Sequence, residues 1–269
     1  MILVNGKKLK VEHFPDGTQK LNLNHNGTIT WVYDNDEELF TLISVIKHMK
    51  RRIGNPSHYP YLQMPFAPNA RFDRTYSDDE VFTLKYFCEI INDLKLAGVK
   101  IEDPHSNVIT GLLDRVDVTY DFEQVVLDEL NNKDDIILFF PDNGAASKYT
   151  KFYSYPYAYG LKHRDWKTGE IKGLEVVANG LDIKDKKVII VDDICSRGGT
   201  FYYSAKALKE LGVGDITLCV THCENSVLDG EMIKSDLISK IITTDSVFTG
   251  EHEKIEVKRW YRGEKDEEN

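Results

Sequence analysis

The run from residue 188 to residue 201, VIIVDDICSRGGTF, constrains the fold of this chain more than any other segment. Its apolar first half predicts a buried strand, which ends in two carboxylates, Asp192 and Asp193. A Gly-Gly turn follows, and Thr200 then opens a helix. Because ligands of open α/β sheets bind beyond the carboxyl ends of the strands, this run predicts a ligand site.

The residue types in this run indicate what the ligand is. A helix N-terminus presents unpaired N–H groups and the positive end of the helix dipole, so a phosphate suits the turn. Two acids beside a phosphate would repel it, and they must therefore serve ribose hydroxyls or a magnesium ion. The alternative is an ordinary strand, turn and helix with a capped end.

Strands and helices alternate along the rest of the chain, which predicts an α/β fold with largely parallel sheets. The sequence Asn26-Gly27 predicts a tight hairpin turn between residues 20–25 and 28–33. A helix is predicted over residues 78–98, closed by Gly98. Further helices are predicted over 37–52, 122–132 and 201–212, and strands over 99–103, 135–140, 186–193, 215–222 and 240–247.

Composition limits the classes of partner. The formal net charge of −10 argues against binding to nucleic acid or to a membrane surface. No stretch has the length of a transmembrane helix, and the first residues do not form a signal peptide. The four cysteines show no disulfide framework. We therefore expect a reduced, cytoplasmic protein.

Residues 188–201 resemble the phosphoribosyl pyrophosphate signature of type I phosphoribosyltransferases and of ribose-phosphate pyrophosphokinases. That family has a third acid and a Thr where this chain has Ser196 and Arg197, which places a new cation near the phosphate. The resemblance implies that ribose 5-phosphate is bound by Asp192, Asp193, Ser196, Arg197, Gly198, Gly199 and Thr200.

Other motifs resemble the ATP-binding segments of the pyrophosphokinases. Residues 14–18, Phe-Pro-Asp-Gly-Thr, resemble Phe-Ser-Asp-Gly-Glu, although a plain hairpin turn explains them as well. Residues 69–74, Asn-Ala-Arg-Phe-Asp-Arg, resemble Tyr-Ala-Arg-Gln-Asp-Arg, and the alternative is a surface loop. Residues 103–106 resemble a segment whose His ligates magnesium on ATP. The ATP-binding residues implied are Phe14, Asp16, Thr18, Arg71, Phe72, Asp73, Arg74 and His105.

Two motifs resemble the catalytic parts of that family. Residues 141–145 resemble its pyrophosphate loop, Pro-Asp-X-Gly-Gly, although a turn at the end of a strand has the same shape. Residues 162–164, Lys-His-Arg, resemble the start of its flexible catalytic loop, and the alternative is a solvated surface. The resemblance implies that Lys162 and Arg164 are catalytic and that His105 and Asp142 hold the metal. The pyrophosphate loop would consist of Asp142, Asn143, Gly144 and Ala145.

The resemblance implies two type I phosphoribosyltransferase-like domains, each a mostly parallel sheet flanked by helices. The first spans residues 1–118 with the ATP-binding segments, the second spans 119–255 with the other loops, and 256–269 form a polar tail. The site would lie between the domains and at a subunit interface of a homo-oligomer, a dimer or a hexamer.

The implied reaction is magnesium-dependent transfer of the diphosphoryl group of ATP to the anomeric hydroxyl of ribose 5-phosphate. The products are phosphoribosyl pyrophosphate and AMP. Two alternatives stay open. A base-specific phosphoribosyltransferase would share residues 188–201, and a non-catalytic subunit associated with a synthetase would share the fold.

Overall fold

The structure, a computed structural model, describes residues 1–24, 26–131, 135–164 and 171–262. For residues 162–164, 171 and 172 only the backbone is described. The chain divides into two units, Met1–Tyr120 and Asp121–Asn269. The sequence placed a boundary after residue 118. None of the helices in the described ranges is long and apolar enough to cross a membrane.

The first unit is built around a mixed sheet. Its strands are β1 (Ile2–Val4), β2 (Lys7–Lys8), β3 (Val11–His13), β4 (Gln19–Leu21), β5 (Ile29–Trp31), β6 (Tyr61–Met64), β7 (Gly98–Glu102) and β8 (Val116–Thr119). Its helices are α1 (Glu38–Ile53), α2 (Thr83–Asp93) and α3 (Val108–Leu112). In the described part of this unit, six strands pair in the order β2-β1-β5-β6-β7-β8, and β5 to β8 run parallel. Trp31, Leu42 and Leu62 are among its fully buried side chains.

The predicted hairpin at Asn26-Gly27 is wrong. Strand β4 pairs with β3, whereas β5 pairs with β1 and β6. The reason is burial, because Ile29 and Trp31 on β5 belong to the core, while β4 is only partly covered. The side chain of Asn5 accepts a hydrogen bond from the Thr28 N–H and donates one to the Asn26 carbonyl, which holds this connection against β1.

The predicted helix over residues 78–98 is too long at both ends. Helix α2 ends at Asp93, and Lys95 has a φ of 48°, a left-handed conformation that a helix cannot continue through. Gly98 does not close the helix but begins β7 beside β6. A Cβ on Gly98 would lie 2.5 Å from the ring of Tyr61, so a close packing contact accounts for the glycine.

The second unit contains a larger sheet. Its helices are α4 (Glu123–Asn131), α5 (Asn143–Tyr149), α6 (Gly199–Glu210) and α7 (Glu231–Lys234). Its strands are β9 (Ile136–Phe140), β10 (Tyr157–Arg164), β11 (Ile171–Val177), β12 (Lys187–Cys195), β13 (Ile216–Cys223), β14 (Lys240–Thr244) and β15 (Ile255–Lys258). They pair in the order β11-β10-β9-β12-β13-β14-β15, and every pair except β10–β11 is parallel.

Strand β12 is central because both of its faces are covered. Val188 and Ile190 pack into the core on one face of the sheet, and Ile189 and Val191 pack into the core on the other. Successive side chains of a strand point to opposite faces, so a continuous apolar run fits a strand buried on both sides. The mostly parallel α/β architecture expected from the sequence is confirmed.

The residues predicted as a polar tail, 256–269, include most of a strand at their start. Residues Ile255–Lys258 form β15, the last strand of the sheet, and Ile255 and Val257 are half-buried against its core. The carboxylate of Asp245 then accepts hydrogen bonds from the backbone N–H groups of residues 260, 261 and 262. The alternation of Ile255 and Val257 was the signal for a strand, and the surrounding charged residues concealed it.

Candidate active site

Strand β12 carries two acids to the carboxyl edge of the second sheet. Asp193 is 4% exposed and Asp192 is half-buried. The backbone N–H of Asp193 donates to Oδ1 of Asp192 over 3.0 Å. A buried carboxylate is costly unless it has a hydrogen-bond or charge partner.

Lys148, on helix α5, supplies such a partner. Its Nζ lies 2.9 Å from Oδ2 of Asp193, and the two side chains are 15% and 6% exposed. The pKa of Asp192 is raised well above its usual value, by burial and then by the negative charges of Asp193 and Asp142. Three carboxylates and one ammonium group therefore influence one another at this edge.

The loop that begins with Asp142 lies at the end of β9, which is parallel to β12 and adjacent to it. Asp142 caps α5, and its Oδ1 accepts from the N–H of Ala145 over 3.0 Å. Asn143 and Gly144 are exposed, and Ala145 is buried. Since parallel strands end at the same edge of a sheet, the two predicted loops are neighbours.

The turn after β12 requires a glycine at one of its two glycine positions. Gly198 has a φ of 78°, in the left-handed region, and caps helix α6. Helix α6 begins directly after Gly198 and continues to Glu210. Its first N–H groups and the positive end of its dipole therefore face the turn. Arg197 is exposed, while Ser196 and Thr200 are half-buried. Together with Gly199, these residues form the predicted ribose-phosphate loop.

The two residues predicted to be catalytic lie on β10. This strand pairs with β9 as far as Tyr159 and Phe140, and it then continues to Arg164 beyond the end of its partner. Lys162 pairs with Leu174 of β11. The side chains of Lys162 and Arg164 lie outside the described residues.

Two of the predicted ATP-binding segments come together within the first unit. Asp73 pairs with Arg74 over 2.7 Å, and the hydrogen bond from Arg74 is the main cause that lowers the pKa of Asp73 to about 2. A hydrogen bond from Ser106 and the charge of His105 lower it further, so residues 103–106 lie beside this loop. His105 is exposed at the end of β7.

The middle of the same loop is held by packing. Asn69 has a φ of 63°, and Ala70 is buried in the core of the unit. The ring of Phe72 packs edge-on against Phe82, with the ring centroids 6.5 Å apart. Arg71 is exposed next to these anchored residues. Packing therefore fixes the backbone of this loop, and the side chains of Arg71 and Arg74 are exposed to solvent.

The third predicted ATP-binding segment forms the hairpin between β3 and β4. Oδ1 of Asp16 accepts hydrogen bonds from the N–H and the hydroxyl of Thr18, at 2.9 Å and 2.7 Å. These bonds hold the pKa of Asp16 below its usual value. The ring of Phe14 is 51% exposed. The hairpin alternative thus explains the backbone of this segment and the hydrogen bonds of Asp16. A hairpin does not, however, require the exposed ring of Phe14.

The acids of the second unit suit a hard cation. Among the side chains that the structure describes, no group of three or more His, Cys, Asp or Glu residues is arranged to hold a metal ion. Magnesium, however, commonly takes only one or two carboxylates from a protein and the remaining ligands from substrate phosphates and water. Asp142, whose negative charge contributes to the raised pKa of Asp192, fits that kind of donor set.

One contact at this edge was missed by the sequence analysis, namely the ion pair of Lys148 with Asp193. No sequence signal gives the register between a helix and a strand that lie 45 residues apart in the chain. The basic residue soon after a predicted phosphate loop was the only available hint.

With its parallel sheet, its acid-bearing strand and its Gly-rich turn before a helix, the second unit resembles a phosphoribosyl transferase domain. Residues 153–253 match the family model of the phosphoribosyl transferase domain. That match lies entirely within the second unit.

Relatives with established names extend the match to both units. A ribose-phosphate pyrophosphokinase of Bacillus subtilis is 26% identical over 265 residues, which cover 93% of this chain and 80% of that protein. One of Saccharolobus solfataricus is 27% identical over 163 residues, which cover 59% of this chain and 55% of that protein. The chain is thus similar to ribose-phosphate pyrophosphokinases over most of its length.

A solved structure shows the same fold. The phosphoribosylpyrophosphate synthetase of Mycobacterium smegmatis superposes with a TM-score of 0.72 at 19% identity, over 93% of this chain and 85% of that one. The two phosphoribosyltransferase-like domains that the sequence implied are thereby confirmed as the fold class.

Proposed function

We propose that this protein transfers the diphosphoryl group of ATP to the anomeric hydroxyl of ribose 5-phosphate, giving phosphoribosyl pyrophosphate and AMP. The observation that carries the proposal is the extent of the likeness to ribose-phosphate pyrophosphokinases, which covers 93% of the chain and so includes both units. A transferase that needs only a ribose-phosphate site would account for the second unit alone.

The ribose 5-phosphate site is assigned to the end of β12. Asp192 and Asp193 accept hydrogen bonds from the ribose hydroxyls. The turn before α6 and the first N–H groups of that helix bind the 5-phosphate, with Arg197 as an added cation. This assignment is supported by the left-handed Gly198 and by the exposed position of Arg197.

The ATP-binding residues are assigned to the first unit. The exposed ring of Phe14 stacks on the adenine, and Asp16 accepts from its amino group. Arg71 and Arg74 bind phosphate oxygens, a task that suits the guanidinium fork. Phe72 and Asp73 hold the backbone of this loop, and Thr18 holds the hairpin.

His105 and Asp142 are assigned to magnesium, which when bound neutralises charge on the phosphoryl oxygens. Residues 142–145 receive the diphosphate through their backbone amides. Lys162 and Arg164 stabilise the charge that develops during in-line attack by the ribose hydroxyl, without a covalent intermediate on the enzyme. The extension of β10 past the end of β9 supports this placement of the two cations. The proposal includes assembly into a homo-oligomer.

The second candidate is a base-specific phosphoribosyltransferase, which the family match over residues 153–253 favours. Such an enzyme would consume phosphoribosyl pyrophosphate and release diphosphate in the presence of a base. It has no use for the ATP-binding segments of the first unit.

Phosphorus NMR of the purified protein with ATP, ribose 5-phosphate and magnesium tests the proposal. We expect AMP and a sugar-linked diphosphate in equal amounts, and nothing when ribose 5-phosphate is omitted. ADP in place of AMP would show transfer of a single phosphoryl group and contradict the proposal. If neither forms, phosphoribosyl pyrophosphate with purine or pyrimidine bases distinguishes the second candidate from a non-catalytic subunit.

A further inference from the structure

Gly230 touches the backbone of the ribose-phosphate loop. It precedes helix α7 with φ −76° and ψ 157°, a conformation that any residue adopts. A Cβ at this position would nevertheless lie 2.0 Å from the carbonyl oxygen of Arg197 and 2.9 Å from its carbonyl carbon. Both atoms belong to the main chain and cannot rotate away. The glycine is therefore required by contact with the loop and not by its own backbone angles.

A second contact supports the loop one residue further on. The side chain of Met232, which is 1% exposed, lies against Gly198, where an added Cβ would be 2.7 Å from its Cε. Gly198 is the residue in the left-handed conformation. Met232 thus fills the space behind the turn at the point where the chain reverses into α6.

The segment that provides these contacts is itself anchored. The N–H of Glu224 donates to the carbonyl of Cys195, immediately before the loop, over 2.8 Å. The side chain of Asn225 accepts from the N–H groups of Thr249 and Gly250 and donates to the Thr249 hydroxyl. The supporting segment is therefore fixed at its start to β12 and to the chain after β14.

We propose that Gly230 is a positioning residue for ribose 5-phosphate. Because it has no side chain, it lets the Arg197 carbonyl lie close to its own backbone, and the position of that carbonyl fixes the direction of the N–H groups in the loop. The inference rests on the proposed function in one respect only, the identity of the ligand. Met232 has the accompanying role of filling the space behind Gly198. Neither residue contacts the ligand in this proposal.

The test is the substitution Gly230→Ala, with Gly111→Ala as the control, because a Cβ at Gly111 meets nothing within 4 Å. We expect Gly230→Ala to raise the KM for ribose 5-phosphate by roughly tenfold to a hundredfold, as displacement of a binding group by about 1 Å does. The KM for ATP should stay within about twofold of the wild-type value, which a general loss of structure would not allow.

Hydrogen exchange of the amides at residues 197–200, measured without ligand, provides a readout that does not depend on activity. We expect faster exchange there in Gly230→Ala and wild-type exchange in Gly111→Ala. A folded Gly230→Ala protein with wild-type exchange in the loop and a wild-type KM would overturn the inference.

A second pair of variants covers the case in which Gly230→Ala does not fold. Met232→Ala should loosen the loop and raise the same KM, and Met232→Leu should restore both. Equal behaviour of Met232→Ala and wild type would count against the inference. If the wild-type protein itself does not bind ribose 5-phosphate, the proposed function is wrong, and the exchange measurement still decides whether Gly230 positions the loop.

Discussion

The Nζ atom of Lys148 lies 2.9 Å from Oδ2 of Asp193, and this ion pair joins helix α5 to the end of strand β12. It connects the loop that begins at Asp142 with the loop that begins at Ser196, because each partner stands close to one of them. The two proposed phosphate-binding loops thus share a buried electrostatic contact.

Replacing Lys148 by Met should destabilise the protein by about 3 kcal/mol, since it leaves the buried Asp193 carboxylate without its cation. Urea unfolding followed by circular dichroism measures this change. The double variant Lys148→Met with Asp193→Asn should recover part of the loss, because the uncompensated charge is then gone. Unchanged stability in the single variant would show that the pair is already screened by water.

Replacing Lys162 by Ala should lower turnover by about a hundredfold or more, because this cation is assigned to charge that develops only in the transition state. Binding of ribose 5-phosphate, measured by calorimetry, should change little. Lys187→Ala is the control, since Lys187 is an exposed residue at the opposite end of a strand in the same sheet. Wild-type turnover in Lys162→Ala would remove the residue from the catalytic assignment.

The pKa of Asp73, lowered to about 2 by Arg74, makes a prediction about pH. A lowered pKa means that the ionised group stabilises the loop above the ordinary value of 3.8 and that this contribution is lost as the pH falls from 3.8 towards 2. Arg74→Ala should therefore raise the pKa of Asp73 towards 3.8. Carboxyl carbon NMR measures the titration, with Arg51→Ala, an exposed cation on α1, as the control. An unshifted pKa in Arg74→Ala would assign the effect to Ser106.

Asp245 should hold residues 260–262, just beyond β15, in place. Asp245→Ala removes the acceptor for three backbone N–H groups at residues 260–262, so amides there and in β15 should exchange with solvent faster. Asp245→Asn keeps one acceptor oxygen and should have a smaller effect. Hydrogen exchange measured by mass spectrometry compares the two variants. Equal protection in Asp245→Ala and wild type would mean that strand pairing alone holds this segment.

Local patterns in the sequence were sufficient to predict much of the fold. Strand β12 was predicted from its long apolar run, and helix α6 from its helical repeat of apolar residues. Both patterns are longer than any that a short turn produces. The predicted hairpin at Asn26-Gly27 failed because burial of Ile29 and Trp31 outweighed the turn propensity of two residues. The end of α2 was missed because the helical apolar repeat continues through Leu94 and Leu96 after the helix has stopped.

The sequence by itself determined which groups are available for the proposed site. It supplied Asp192 and Asp193 at the end of an apolar strand, a turn with two glycines and a separate loop that contains Asp142, all recognisable because they depend on neighbours within a few residues. It also supplied the motifs by which the chain resembles the pyrophosphokinases.

Only the tertiary structure decided how those groups are held. The pairing of β9 with β12 places the two loops side by side, Lys148 compensates the Asp193 charge, and Gly230 fits beneath the Arg197 carbonyl. Each of these relationships joins residues that are more than 30 positions apart along the chain. Such contacts depend on strand order and on close packing between elements, and a local pattern of residues carries information about neither.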